Sequence, residues 1–281
     1  MVPPESTKEV VNTLSYAGKP VLLDVIRTEQ DALFELIDNP KNWEVQTRCT
    51  EWQTRDIVGH LIDTTEGYLN RWEKAHKGEH TEMLNLHVMA EEVNNGAKKH
   101  RNLSREEAIK RLKDDSRRMM AIFESLTEND WTNFIVEHRY MGPLPTFFYP
   151  AFQVMDYGVH TWDIRYGLGD KIGKLSERTA GVLIPYMFIL MQSTVDEISA
   201  RGLNARYGIE ISGPWGGKWR VSVIDNKFDY KPEAEGFRGA DAVFSFDPSD
   251  FVLTAFLRFP GGAARGDPEV ISRVRNMFFR I

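Results

Sequence analysis

Apolar residues recur every three or four positions through most of the first 200 residues, which predicts a series of amphipathic helices. In the first of them, Leu22, Val25, Ile26 and Leu33 form one continuous stripe. Prolines, glycines and helix-capping residues interrupt the pattern and separate the segments. The predicted helices span 21–37, 54–76, 84–99, 104–126, 146–168 and 176–199.

Local signals mark several of these boundaries. Thr54 stands at the expected N-cap of the second helix, and Ser104 is followed by Glu107 at the spacing of a capping box. The stretch 129–145 is predicted to be a loop. The fifth helix, which follows this loop, is apolar and aromatic along most of its length.

The period shifts towards two from Arg206 onward, which is typical of strands. The runs YGIEIS, WRVSVID, FDY and AVFSF predict a small sheet, with an Asn-Lys turn between the second and third. Helical spacing returns over 248–257 and 268–279. We therefore predict an α+β protein with two domains, a helical bundle over 1–200 and a compact α+β unit over 201–281.

The composition is that of a soluble globular protein, with 42% hydrophobic and 27% charged residues. The net charge of -6, with both signs interspersed, offers no basic stripe, so we expect no nucleic-acid partner. The chain has neither a signal-peptide pattern nor 18 consecutive apolar residues, and we expect a cytoplasmic protein without a membrane partner. Its single cysteine, Cys49, excludes a metal site built from several thiolates.

The candidate chemistry lies in the segment FQVMDYGVHTWDIR. Asp156 and His160 are four residues apart and so project from one face of the fifth helix. An ionised carboxylate in such apolar surroundings needs a partner, and His60 of the second helix can join the pair to form a three-residue metal site. Spacing alone equally allows a packed core histidine beside a simple Asp-His ion pair.

Other polar residues leave further alternatives open. Asp163 can orient the His160 imidazole, pair with Arg165, or face water. We expect Cys49 to be a small packed residue. Of the remaining histidines, we expect solvent-exposed positions for His76 and His80. We expect solvated or capping positions for His87, His100 and His138.

Two blocks of the sequence resemble the mycothiol-dependent maleylpyruvate isomerase family, a branch of the DinB-like four-helix bundles. The run EWQTRDIVGHLI resembles the family's first metal-binding block, and QVMDYGVHTWDIRYGLG resembles the second. The resemblance implies that His60, Asp156 and His160 are the metal ligands. The C-terminal run DPSDFVLTAFLRFPGGAARGDPEVISRV is similar to the family's small sterol-carrier-like domain, and this similarity places Arg258 on an arginine implicated in activity.

The resemblance implies a cytoplasmic enzyme that uses a divalent metal to activate a low-molecular-weight thiol such as mycothiol. Two imidazoles and one carboxylate suit zinc best, with nickel or iron also compatible. The thiolate would attack an electrophilic small molecule, either in an isomerisation of maleylpyruvate type or in an S-transfer, with Arg258 binding a substrate carboxylate or the thiol. The isomerase has Glu where this chain has Asp156, so the exact reaction stays open.

Two other hypotheses come from different functional classes. The C-terminal unit resembles a sterol carrier, so the chain could be a binding protein in which the metal is structural. A metal with an open position could instead activate water, which would make the chain a hydrolase. The oligomeric state, monomer or dimer, is not indicated by the sequence.

Overall fold

The computed structural model describes residues 11–280 of the chain. It confirms the predicted α+β class, with the helices preceding the main sheet. The long helices begin within a few residues of the predicted starts, and all but α7 also end within a few residues of the predicted ends. They are α1 (Lys19–Asp38), α2 (Thr54–Lys77), α3 (Leu86–Lys98), α4 (Arg105–Ser125), α6 (Phe148–Gly167) and α7 (Glu177–Ser193).

The stretch 129–145 is not a loop, and that prediction was wrong. It contains the short helix α5 (Glu128–Asn133) and an antiparallel hairpin of β1 (Ile135–His138) with β2 (Gly142–Pro145). Strands of only four residues carry too little periodicity to be recognised from sequence, and β2 consists mostly of Gly and Pro.

The predicted helix 176–199 is also shorter than expected. Helix α7 ends at Ser193, where the backbone of Thr194 leaves the helical conformation and its hydroxyl donates to the Leu190 carbonyl at 3.1 Å. A separate short helix, α8 (Glu197–Ala200), follows.

Helix α6 is the central element of the bundle. It packs against α1 and α2, α1 and α2 each pack against α4, and α3 covers the outer side of α2. From Phe148 to Ile164 every residue of α6 is buried except Asp156. A helix buried on all faces cannot show a clear amphipathic stripe, which is why its sequence is apolar almost throughout.

The start of α2 differs from the prediction in one residue. Gln53, not Thr54, is the N-cap, because the Thr54 hydroxyl is directed towards the Val45 carbonyl instead of the helix amides. The fully buried Asp56 carboxylate accepts the Gln53 N–H at 2.9 Å and pairs with Arg101. These contacts fix the first turn of the helix that carries His60.

The C-terminal unit is built on a mixed sheet of five strands in the order β5-β4-β3-β6-β7. Strands β3 and β6 are parallel, and the other neighbours are antiparallel. The strands are β3 (Ala205–Ile211), β4 (Gly217–Ile224), β5 (Lys227–Pro232), β6 (Ala242–Phe246) and β7 (Ala263–Gly266).

Two details of this sheet correct the sequence-based expectation. The β4–β5 turn is formed by Asp225 and Asn226, both with positive φ, instead of by Asn-Lys. Both residues tolerate the left-handed region that a tight hairpin turn requires. Strand β7 was not predicted, since its sequence AARG has no apolar alternation.

Helices α9 (Pro248–Ala255) and α10 (Pro268–Arg275) complete the unit. Helix α9 packs against α7 and thereby joins the sheet to the bundle. It is closed by Leu257, which has a φ of 53°, and by a hydrogen bond from the Arg258 N–H to the Leu253 carbonyl at 2.8 Å. This left-handed termination turns the chain back towards the bundle, directly before the Arg258 side chain.

No helix within residues 11–280 is long and apolar enough to cross a membrane. The domain boundary near residue 200 stays a prediction.

Candidate metal centre and cavity

The structure brings His60, Asp156 and His160 together between α2 and α6. One ligand atom from each lies within 4.8 Å of the other two, and the His60 and His160 ring centroids are 5.0 Å apart. Trp52 packs against both imidazoles, with centroid distances of 4.9 Å to His60 and 5.6 Å to His160. The side chains therefore converge from two helices under one indole ring.

The chemistry of this set fits a divalent metal. His60 Nε2 and Asp156 Oδ1 are 3.8 Å apart, which is too long for a hydrogen bond and close to the separation of about 3.4 Å between two ligands of a tetrahedral zinc ion. The second oxygen of Asp156, Oδ2, is buried and has no hydrogen-bond partner among the described residues. A buried carboxylate oxygen without a donor is costly, and a cation would satisfy it.

Asp163 orients one of the imidazoles. Its Oδ2 lies 3.0 Å from His160 Nδ1, which leaves His160 Nε2 to bind a metal. Arg258 Nε donates to both oxygens of Asp163, at 3.1 and 3.2 Å. Of the alternatives that the spacing allowed, the structure shows the contact with the imidazole, whereas Arg165 is exposed.

Burial controls the charges of this group. It lowers the pKa of His160, so the imidazole is neutral, as a metal ligand must be. Burial also disfavours the charged Asp163, but the Arg258 guanidinium and the His160 hydrogen bond outweigh it and hold the pKa of this carboxyl below its usual value. Asp163 and Arg258 thus form a buried ion pair beneath His160.

A cavity of about 840 Å³ opens over the three candidate ligands. This volume is within the range of small-molecule sites. It is lined mainly by α2, α3, α6 and the β1–β2 hairpin, with Phe256, Arg258 and Arg280 contributed by the C-terminal unit. Arg258 is only 6% exposed, so its side chain lies inside the protein and not on its surface.

A family model matches the part of the chain that carries the candidate ligands. Residues 23–165, just over half of the chain, match the family model described as the mycothiol maleylpyruvate isomerase N-terminal domain. The chain belongs to the mycothiol maleylpyruvate isomerase family. The matched segment includes the three candidate ligands and Asp163.

Solved structures support the same fold. A crystal structure of the mycothiol-dependent maleylpyruvate isomerase superimposes on this chain with a TM-score of 0.58 and a sequence identity of 14%. The match covers 88% of this chain and 92% of the isomerase chain. A histidine-to-alanine mutant of that isomerase has a TM-score of 0.57, with the same identity and coverage. No curated protein matches the chain. At this identity the likeness shows the fold, so the reaction of this family member is argued from its own residues.

The single cysteine of this family member is buried beside the site. Cys49 Sγ lies 3.2 Å from Asp163 Oδ2 and donates its proton there. Burial raises the pKa of the thiol to about 12. Cys49, His160 and Asp163 are also close enough to share a metal, but Asp163 is occupied by Arg258 and Cys49 keeps its proton. Cys49 is thus the packed residue that the sequence predicted.

We expect Cys49 to be unreactive in the folded protein. At pH 7.5, which is about 4.5 pH units below the thiol pKa, the thiolate fraction is about 3 × 10⁻⁵, and only 6% of the residue is exposed. Ellman's reagent should titrate less than about 0.1 thiol per native chain in an hour, and one thiol after denaturation. Rapid labelling of the native protein would contradict this assignment.

The other histidines divide into two groups. His76, His80 and His87 are exposed, as predicted, and His87 stacks on Phe279. His100 and His138 are buried, so neither is solvated, but His138 caps a turn because its Nδ1 accepts the backbone N–H groups of Tyr140 and Met141. A histidine buried by a distant segment gives no signal in its own neighbourhood of the sequence.

Proposed function

We propose that this chain is a metal-dependent enzyme that uses a low-molecular-weight thiol, mycothiol-like, to attack an electrophilic small molecule. The observation that carries the proposal is the convergence of His60, Asp156 and His160, with a buried, unpartnered Asp156 oxygen, at one large cavity. Membership of the isomerase family supports the same chemistry.

The three side chains would hold one divalent ion. Zinc fits this ligand set best, and nickel or iron is also compatible with it. When bound, this ion would lower the pKa of a thiol at its open position, giving a thiolate at neutral pH. Asp163 keeps His160 in the tautomer that ligation requires, and Trp52 shields both imidazoles from water.

The nucleophile must come from outside the chain. Cys49 is the only cysteine in the sequence, and its thiol is buried, protonated and bonded to Asp163. In an isomerisation the borrowed thiolate adds to a conjugated double bond, the resulting single bond rotates, and expulsion of the thiolate restores the double bond. In an S-transfer the thiolate displaces a leaving group and remains attached to the product.

Arg258 would serve this reaction in two ways. Its Nε holds Asp163, and its Nη1 donates to the Phe256 carbonyl at 3.3 Å. The remaining Nη2 would be available to a carboxylate of the substrate or to the thiol cosubstrate at the cavity. We therefore retain Arg258 as the proposed catalytic and cofactor-binding residue, in addition to its contact with Asp163.

The proposal is tested by replacing the native ion with Co²⁺ and titrating the protein with mycothiol and with glutathione. We expect a sulfur-to-cobalt charge-transfer band with at least one thiol, and thiol-dependent isomerisation of maleylpyruvate or thiol-dependent S-conjugation. The His60→Ala variant should show neither. Turnover that persists in thiol-free buffer would overturn the thiol role and indicate hydrolysis.

A further inference from the structure

Arg71 is a cation at the cavity that the proposed chemistry does not use. It lies on α2, eleven residues after His60, and lines the same cavity. Its Nε is buried without a hydrogen-bond partner, and no acidic side chain of the described residues lies within 4.0 Å of its guanidinium. Arg139 and Arg258, which also line the cavity, pair with Glu92 and Asp163.

Except for Asp156, the proposed metal ligand, the carboxylates of the cavity wall are already engaged with other cations. Asp63 pairs with Lys99 at 2.7 Å, and Glu66 pairs with Arg111 at 2.5 Å. Glu92 accepts from the Tyr140 hydroxyl as well as facing Arg139. The positive charge of Arg71 is therefore left for an anion that enters the cavity, because a partly buried cation gains from a counterion.

A glycine makes room for this guanidinium. Gly67 lies one turn before Arg71 on α2, and a Cβ at Gly67 would meet Arg71 Nη1 at 2.8 Å. Glycine within a helix is destabilising by about 1 kcal/mol relative to alanine, and at this position the absent Cβ leaves space that the guanidinium occupies. The missing side chain allows the Arg71 side chain to lie back along the helix towards His60.

His138 supplies a second donor at the same wall. Its Nδ1 accepts the backbone N–H groups of Tyr140 and Met141 at 3.3 and 3.2 Å, so the ring proton is on Nε2. Burial lowers the pKa of His138 to about 3, and the ring is neutral at physiological pH. His138 is thus a fixed hydrogen-bond donor that lines the cavity.

Tyr68 completes the group and adds aromatic surface. Its ring lies 5.9 Å from His138 and 6.1 Å from Phe152, and all three side chains line the cavity. Burial, followed by the charge of Asp156, raises the pKa of Tyr68, so its hydroxyl keeps its proton. The subsite therefore combines a cation and neutral donors with an apolar wall.

We propose that Arg71, His138 and Tyr68 bind the carboxylate of the electrophilic substrate, and that this substrate is an elongated, unsaturated or aromatic acid. Gly67, beside which the Arg71 guanidinium lies, is seven positions after His60 on α2. This spacing corresponds to about 10 Å along the helix axis. The acid group and the carbon attacked by the thiolate would be separated by a comparable distance. This inference rests on the proposed function for the identity of the attacked carbon, but the carboxylate subsite does not require it.

The test measures binding, so that it is independent of turnover. The full-length chain is titrated calorimetrically with cinnamate and with its uncharged analogue cinnamamide, once with bound metal and once after chelation. We expect cinnamate to bind about 10- to 100-fold more tightly than cinnamamide in both states. Arg71→Met should remove this preference, and Gly67→Ala should weaken cinnamate binding several-fold by displacing the guanidinium.

Arg139→Met is the matched control, because it removes the same charge from the same cavity wall but from an arginine already paired with Glu92. It should keep the preference for cinnamate. Equal losses in the Arg71 and Arg139 variants, or no preference in the wild type, would overturn the subsite. N-acetylcysteine is compared with its amide in the same proteins. If only N-acetylcysteine bound more tightly than its amide, and only when Arg71 was present, the subsite would belong to the thiol and not to the electrophilic substrate.

Absence of metal from the wild-type protein would refute the proposed function and leave the cinnamate result intact. Conversely, thiol-dependent turnover with no carboxylate preference would refute only the subsite. The melting temperature of each variant is measured by circular dichroism, and only variants that melt cooperatively are compared.

Discussion

The His160→Ala variant should bind metal at least about 100-fold more weakly than the wild type and lose thiol-dependent turnover. His160 is the proposed ligand held most rigidly, because Trp52 packs on its ring and Asp163 fixes its Nδ1. Its loss leaves only His60 and Asp156, and two ligands do not form a zinc site in a protein. Metal content per chain, measured by plasma mass spectrometry after dialysis against a weak chelator, checks this prediction.

His76→Ala provides the control, since His76 is an exposed histidine on the same helix as His60. It should retain the wild-type metal content of about one ion per chain. A His160→Ala protein that keeps a full complement of metal would show that the ion, if bound, lies elsewhere. Wild-type protein without metal would remove the basis of the proposed function.

The second large effect is expected at Asp163, which is fully buried and accepts from His160, Arg258 and Cys49. Asp163→Asn leaves the Arg258 guanidinium buried without a counterion. Loss of one partner of a buried ion pair typically destabilises by about 3–5 kcal/mol. Urea unfolding should show this loss in the free energy of unfolding, together with a metal affinity about 10- to 100-fold lower.

The reference variant is Asp170→Asn, an exposed aspartate after the end of α6, which should change stability by less than about 0.5 kcal/mol. The double variant Asp163→Asn/Arg258→Met should be less destabilised than the sum of its parts by at least about 1 kcal/mol, since removing both charges leaves none unpaired. If the losses in the free energy of unfolding were strictly additive, the interaction between Asp163 and Arg258 would contribute nothing to stability.

Periodicity determined the long helices well, because each must bury one face over several turns. Helix α6, which is buried on every side, was predicted instead from its long apolar and aromatic run. Periodicity failed at β1, β2 and β7, which are four-residue strands held by pairing with a neighbour instead of by a pattern of their own. The N-cap of α2 was missed by one residue, since the contacts of Gln53 and Asp56 could not be weighed against the hydroxyl of Thr54.

The sequence by itself placed Asp156 and His160 on one helix face, because four residues make one helical turn, and its family blocks indicated His60 as the third ligand. Only the tertiary structure decided which groups surround that set. Arg258 and Asp163 are 95 residues apart, and Cys49 and Asp163 are 114 apart. Whether Arg71 has an acidic partner likewise depends on packing, because Arg111 of α4 and Arg139 of the hairpin engage Glu66 and Glu92. Charge pairing over such separations follows from packing, and no local spacing in the chain encodes it.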